Sequence, residues 1–178
     1  MTLEQMITVQ STNQSMREAN GTWIAHGKTL KFAALFSALQ NLLPLFDLRR
    51  SEPFQVINYN RGGHYAPHYD YPTDEKTQKV MEKRGNRIAT VIVVLKRAEK
   101  GGGLVFTELK TSLLPDVGDV ILWFNMTSRH QLEYLSKHAA CPVERGRKIV
   151  ISLWIRSKGQ EFTLKSRNSN GFDFRDFN

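Results

Sequence analysis

His68 and Asp70 stand two residues apart in a segment, His64 to Asp70, that alternates like a strand. A period of two puts both side chains on one face of an extended chain. A histidine and a carboxylate projecting together supply two thirds of a facial iron site. Such a site needs a second histidine from elsewhere and leaves three coordination positions open for cosubstrate and oxygen. The pair alone is a weak signal, because an H-x-D in a soluble protein is usually a surface accident.

Four histidines could complete the set: His26, His64, His130 and His138. His64 shares strand parity with His68, but four residues of extended chain separate them by roughly 13 Å. They could reach one ion only if the strand bent. His26 precedes a helix and has no geometric argument. His130 lies near a polar loop, where solvent exposure is the plain reading. His138 is followed ten residues later by Lys148, which opens the apolar run Lys148 to Trp154. A lone lysine entering a barrel interior is costly unless an anion pairs with it. A dicarboxylate cosubstrate would supply that anion. The plainer alternative has Lys148 snorkelling outward at a strand end.

The elements that would carry these residues are legible in part. Phe32, Leu35, Phe36, Leu39, Leu42 and Leu43 follow helical spacing, so residues 29–43 are predicted as a helix with one apolar stripe, ended by Pro44. Met6 to Val9 could be a short strand, and Gly21 to Ile24 a turn leading into another. Phe54 to Asn60 predicts a strand, with a turn at Arg61 to Gly63 and a second strand from His64 to Asp70. Arg87 to Leu95 is a β-branched run typical of a buried strand. Gly101 to Gly103 punctuates before Leu104 to Phe106, and Val120 to Phe124 and Lys148 to Ile155 are two further strands. Many short strands behind one helix predict a barrel or sandwich. No repeat or low-complexity tract interrupts them.

The chain has 178 residues, enough for one domain with a core. Its 40% hydrophobic and 24% charged residues are ordinary for a globular protein. No apolar run approaches the ~20 residues of a membrane span. Met1 to Gln14 lacks the basic start and apolar block of a secretory signal. The formal net charge of +8 is spread over most segments. It is read as general surface charge, with a polyanion site as the alternative. A single cysteine, Cys141, excludes an intrachain disulfide.

Taken together, the chain resembles the collagen-type prolyl 4-hydroxylases within the iron(II)- and 2-oxoglutarate-dependent oxygenases. Gln55 to Asp70 (QVINYNRGGHYAPHYD) looks like that family's first metal segment, and His138 to Val143 (HAACPV) like its distal histidine segment. Gly159 to Phe162 (GQEF) is similar to the ending of collagen-type members. The resemblance covers about residues 20–163, and order, spacing and flanking residues agree at several separated places.

The resemblance implies a mainly β fold with supporting helices, the double-stranded β-helix or jelly roll. It implies an oxygenase domain over 1–163, its first strands short, and a polar tail over 164–178. It implies that His68, Asp70 and His138 hold Fe(2+), and that Lys148 takes the distal carboxylate of 2-oxoglutarate. Tyr59 would help bind that cosubstrate and Thr90 would line its pocket. Tyr65 would lie near the substrate proline and Trp154 would pack by the active site, both with Arg156 among the substrate-binding positions; core packing is the plain alternative for Tyr65, Trp154 and Tyr59. The implied activity is 4-hydroxylation of peptidyl proline in collagen-like or proline-rich peptides, with L-ascorbate restoring oxidised iron. A protein disulfide isomerase subunit is the implied partner, and the endoplasmic reticulum lumen the implied location. With no signal in Met1 to Gln14, a cytoplasmic location stays open.

Two positions depart from that pattern. Arg156 stands where relatives usually have a histidine that helps with substrate, which opens the question of peptide preference. Cys141 has no later partner in the tail. Two other readings follow: the same oxygenase chemistry on another protein or an alkylated nucleic acid, and a truncated, non-catalytic peptide-binding or assembly module. The scattered basic charge does not favour nucleic acid.

Overall fold

A computed structural model describes residues 9–10, 16–71, 83–127 and 131–160. His130 and the 164–178 tail lie outside them, as does all but Val9 of the expected first strand. In chain order the elements are β1 (Val9–Gln10), β2 (Arg17–Glu18), β3 (Asn20–Ile24), α1 (Leu30–Leu42), β4 (Phe54–Tyr59) and β5 (His64–His68). Then come β6 (Arg87–Lys96), β7 (Lys100–Gly101), β8 (Leu104–Phe106), β9 (Thr111–Leu113) and β10 (Val120–Phe124). The chain closes with β11 (His138–Ala140), β12 (Val143–Arg145) and β13 (Lys148–Arg156). Short 3-10 turns cover Leu48–Arg50 and Tyr134–Ser136.

All pairings are antiparallel. One sheet runs β1-β3-β4-β13-β6-β10 and a second runs β2-β5-β11-β8-β9, with β12 and β7 as a small third pair. The two large sheets face each other. Leu104 and Phe106 of β8 pack on Trp123 of β10, and Tyr65 of β5 packs with the cluster holding Tyr59 and Val150. This is the jelly roll.

Strand alternation decides what each face of the larger sheet does. Along β13, Ile149, Ile151, Leu153 and Ile155 turn to one side, where they join Phe54 and Val56 of β4 and Ala89, Val91 and Val93 of β6. Helix α1 covers that side through Leu39, Phe32, Leu35, Phe36 and neighbouring Leu43. The other residues of β13, Lys148, Val150, Ser152 and Trp154, line the interior between the sheets. A strand buried on both faces reads as a near-continuous apolar run, which is why residues 148–156 show no clean alternation of polar and apolar.

The helix begins and ends as its sequence implies. The Thr29 side chain caps it by accepting from the Phe32 backbone amide at 3.3 Å, and Leu43 with Pro44 follows its last turn. One expected stripe residue turns away, because Leu42 is 58% exposed. Gly21 to Ile24 is strand rather than the expected turn, since it pairs with Phe54 to Ile57. Past the last strand, the buried Gln160 side chain accepts from the Asp47 amide at 2.9 Å and donates to the Asp47 carbonyl at 3.0 Å. This clamp ties the end of the described chain to the 3-10 turn at Leu48.

Leu153, fully buried in the central strand, should cost about 2–5 kcal/mol when cut to alanine. The expected readout is a lower urea midpoint at an unchanged slope.

Candidate metal centre and cosubstrate cavity

Two backbone facts bring the donor residues together. His138 opens β11 and sits directly across from His68, the last residue of β5. Strand β5 ends there, so Asp70 stands in a bend beyond it and not on the expected strand. The side chain of Asp70 still turns inward and is buried. Its Oδ1 lies 3.8 Å from His68 Nε2, and its Oδ2 lies 3.6 Å from His138 Nε2.

The hydrogen bonds around these groups fix where the protons are. His68 Nδ1 donates to the Ala66 carbonyl at 2.8 Å, and His138 Nδ1 to the Ser136 carbonyl at 2.9 Å. A carbonyl can only accept, so in each neutral ring the proton sits on Nδ1 and Nε2 keeps its lone pair. Asn125 Nδ2 donates to Thr90 Oγ1 at 2.8 Å, and Thr90 Oγ1 donates to Asp70 Oδ2 at 2.7 Å. Burial, reinforced by His138, pushes His68 down to about 4, so its ring is neutral at ordinary pH. Burial alone would raise the Asp70 carboxyl, but His138, His68, the Thr90 hydrogen bond and Arg87 together hold it below the usual carboxylate value.

The result is two imidazole Nε2 atoms and a carboxylate converging on one largely buried space, with all three ligand atoms within 4.8 Å of one another. A cation at the centre would satisfy all three. Two imidazole nitrogens and one carboxylate with the remaining side open suit a non-haem iron(II) centre, and the Nδ1 anchors are the support that metal-binding histidines use. Among the described residues no other group of this kind occurs. His64 is elsewhere, with Nδ1 against the Gly62 carbonyl at 3.0 Å. His26 is packed on Phe36 and Phe54, with Nε2 against the Glu52 carbonyl at 2.9 Å.

The donors open into a cavity of about 180 Å³ between the sheets. Lys148 and Tyr59 are directly paired on β13 and β4 and both line it. The Lys148 ammonium is buried, donates to the Gly102 carbonyl at 2.7 Å and lies 5.8 Å from the Tyr59 ring centre. Among the described residues no carboxylate pairs with it, and burial pushes it down to about 8. Gly102 has φ +71°, and a Cβ there would stand 3.1 Å from the Ala98 Cβ and 3.5 Å from the lysine stem. Only glycine lets this carbonyl approach so closely. Tyr59 is held un-ionised, its hydroxyl pushed up to about 12 by burial.

Thr90, Tyr65 and Trp154 also line the cavity. Tyr65 stacks on the His68 ring with centroids 3.6 Å apart. Trp154 meets Trp23 at 5.5 Å and carries the Arg87 guanidinium 4.0 Å from its ring centre. Arg156 does not join them. A register shift between Ile155 and Arg156 redirects its side chain. Arg156 Nη2 lies 2.8 Å from Glu52 Oε1, and its Nη1 donates to the Gly85 carbonyl at 2.9 Å. Position two after Trp154 therefore serves a buried ion pair outside the metal cavity. Sequence reasoning passed over Arg17, Trp23, Arg87, Trp123 and Asn125. Parity could have found Trp123, which pairs with Thr90 across β10 and β6. Nothing local marks Asn125, whose partner is 35 residues away.

The family model described as the 2OG-Fe(II) oxygenase superfamily matches residues 54–156. The chain is 44% identical over 114 residues to prolyl 4-hydroxylase subunit alpha-2 of Caenorhabditis elegans, covering 64% of this chain and 21% of that one. It is 32% identical over 162 residues to the human prolyl 4-hydroxylase subunit alpha-1, covering 90% of this chain and 30% of that one. The chain thus spans less than a third of the length of these curated relatives. Its fold matches the crystal structure of the viral collagen prolyl hydroxylase of Paramecium bursaria Chlorella virus-1 in its 2OG complex. The TM-score is 0.65 at 27% identity, over 79% of both chains.

His138→Ala and Asp70→Ala should each abolish tight binding of iron(II), measured by anaerobic calorimetry, while His64→Ala binds it as the parent does. Thr90→Val removes the hydroxyl that orients Asp70 and should weaken iron(II) by roughly 10–100-fold.

Proposed function

Since the chain belongs to the 2OG-Fe(II) oxygenase superfamily, we propose that it hydroxylates peptidyl proline at C4 in collagen-like or proline-rich peptides. The observation that supports this most is one cavity with two chemically different ends. The His68 and His138 donors lie on one sheet with Asp70 in the bend beside it, and a buried Lys148 without a carboxylate partner among the described residues lies on the other sheet.

His68, Asp70 and His138 fit iron(II) in charge, donor type and protonation. Iron with 2-oxoglutarate supplies an oxidation in which one atom of O₂ enters succinate and the other enters a C–H bond of the substrate, with release of carbon dioxide. The protein's own residues do the rest. Lys148 pairs with the distal carboxylate of the cosubstrate through a charge-assisted contact in a site of low polarity. Tyr59, un-ionised and beside it, adds a hydroxyl without adding negative charge. Thr90, set by Asn125, keeps Asp70 turned to the metal. Tyr65 and Trp154 offer aromatic faces to a proline ring, and the facing sheets exclude bulk water. Ascorbate as the reductant of oxidised iron, a protein disulfide isomerase partner and the lumen of the endoplasmic reticulum are parts of the same proposal. They rest on the resemblance to collagen-type subunits.

One observation keeps another protein substrate in view. Arg156 is withdrawn into its ion pair with Glu52, so a departure from relatives would show in substrate choice and leave the oxidation untouched. The complete donor set favours turnover over a passive peptide-binding module.

Anaerobic addition of iron(II) and 2-oxoglutarate should give the weak visible charge-transfer band of the chelate. Succinate release should rise with a proline-rich peptide and vanish in His138→Ala. Succinate release only with a methylated oligonucleotide would move the activity to nucleic acid. Lys148→Ala should weaken 2-oxoglutarate by roughly 10–100-fold, the range of a hydrogen bond to a charged group, with iron(II) affinity unchanged. Equal losses of both would make Lys148 structural. Because Lys148 is pushed down to about 8, its charge is present below that pH and lost above it. Affinity for 2-oxoglutarate should therefore fall about tenfold for each pH unit above that value.

A further inference from the structure

A second cavity, about 540 Å³ and sharing no lining residue with the first, lies beside the ion pair. Among the described residues its charged lining is Arg50, Lys83, Arg84, Arg156 and Lys158, with Glu52 as the only carboxylate. Glu52 does little to neutralise the rest, because its oxygens are already engaged. Arg87 donates from Nε to Oε1 at 2.5 Å and from Nη2 to Oε2 at 2.9 Å, and Arg156 Nη2 lies 2.8 Å from Oε1. Lys83, Arg84 and Lys158 are exposed, and none has an ion pair among the described residues. Burial first, and then the charges of Arg87 and Arg84, hold Arg156 below its usual value against the pull of Glu52.

The walls are built rather than loose. The Gln160–Asp47 clamp fixes the turn carrying Lys158 against the 3-10 turn carrying Arg50. Asn86 donates from its amide to Ser157 Oγ at 2.9 Å and accepts from the Ser157 amide at 2.8 Å, which holds the segment after Arg84 to the end of β13. Arg156 reaches across to the Gly85 carbonyl. Concave clusters of one sign focus potential and collect opposite charge.

This cleft adjoins the metal cavity through one shared wall. Arg87 lines the metal cavity and grips Glu52, which lines the basic cleft. A chain leaving the metal cavity over that wall advances about 3.3 Å per residue when extended, so positions close to the reacting residue would face the cations. Among the described residues the lining holds no aromatic ring on which a nucleotide base could stack. We propose that the cleft binds aspartate or glutamate side chains flanking the target residue, so that the preferred substrate is an acidic peptide. This rests on the reading of the protein as a peptide hydroxylase.

The test uses the full chain with iron(II) and 2-oxoglutarate under anaerobic conditions. The probes are a fluorescent proline peptide flanked by glutamates and the same peptide with glutamines. The acidic peptide should bind about tenfold tighter at low salt, and the advantage should vanish near 0.5 M salt, where the screening length is only about 4 Å. The triple variant K83E/R84E/K158E, at three exposed positions, should bring the two affinities together. Equal binding of the two peptides by the parent, or an advantage that survives the triple variant, overturns the proposal. So does a single-stranded oligonucleotide of equal charge that binds tighter than the acidic peptide and loses its affinity in the triple variant. Succinate release in air separates this inference from the one beneath it. Cleft-dependent binding without release on any proline peptide keeps the cleft and removes the proline hydroxylase. Release on both peptides with equal binding does the reverse.

Discussion

The structure turns on a carboxylate buried between two imidazole Nε2 atoms. Asp70 faces His68 and His138 at 3.8 and 3.6 Å, too long for hydrogen bonds. Both rings are held in this state by carbonyls behind them, and the carboxylate by a threonine that has only one proton to give. Each of these partners removes an alternative. The rings cannot turn without orphaning an Nδ1 proton, and Thr90 cannot turn without leaving Asp70 short of a donor. A cation held by all three ligand atoms matches this donor set, so the geometry suits a preorganised metal site.

The two sheets divide the labour around that site. The smaller one carries the paired ends of β5 and β11 and hence the histidines. The larger one carries Thr90, Tyr59 and Lys148 on its inner face while its outer face rests on α1. Two imidazoles with a carboxylate at one end and a buried ammonium at the other make the cavity asymmetric. A dicarboxylate can satisfy both ends at once. The lysine is costly to bury by itself, and it is placed where an arriving anion removes most of that cost.

The Arg87–Glu52–Arg156 chain joins this interior to the surface. One arginine belongs to the metal cavity and the other to the basic cleft, and the carboxylate between them is common to both walls. Removing Glu52 would leave two guanidinium groups facing each other in a partly buried space, so the chain is also a structural fixture. The overall basic charge thus has a local focus that its even spread along the sequence conceals.

Periodicity and residue chemistry determined a good deal before any coordinates. The stripe from Phe32 to Leu43 specified a helix, and the β-branched run from Arg87 specified a central strand. The resemblance carried by residues 55–70 and 138–143 pointed to all three donors. What stayed hidden was whatever depends on contacts between distant segments. Strands β9, β11 and β12 are three residues each, too short to show a period, and exist only because partners lie alongside. From the residues alone four histidines were open, and among the described ones the pairing of β11 with β5 brings His138 to the site. Asp70 reached the site from a bend, where strand parity does not apply. Arg156 meets a glutamate more than a hundred positions earlier, past a shift in register that no local pattern announces. Local sequence sets which groups are available and which face of an element they occupy. Their convergence, protonation and pairing are set by neighbours that only the folded chain supplies.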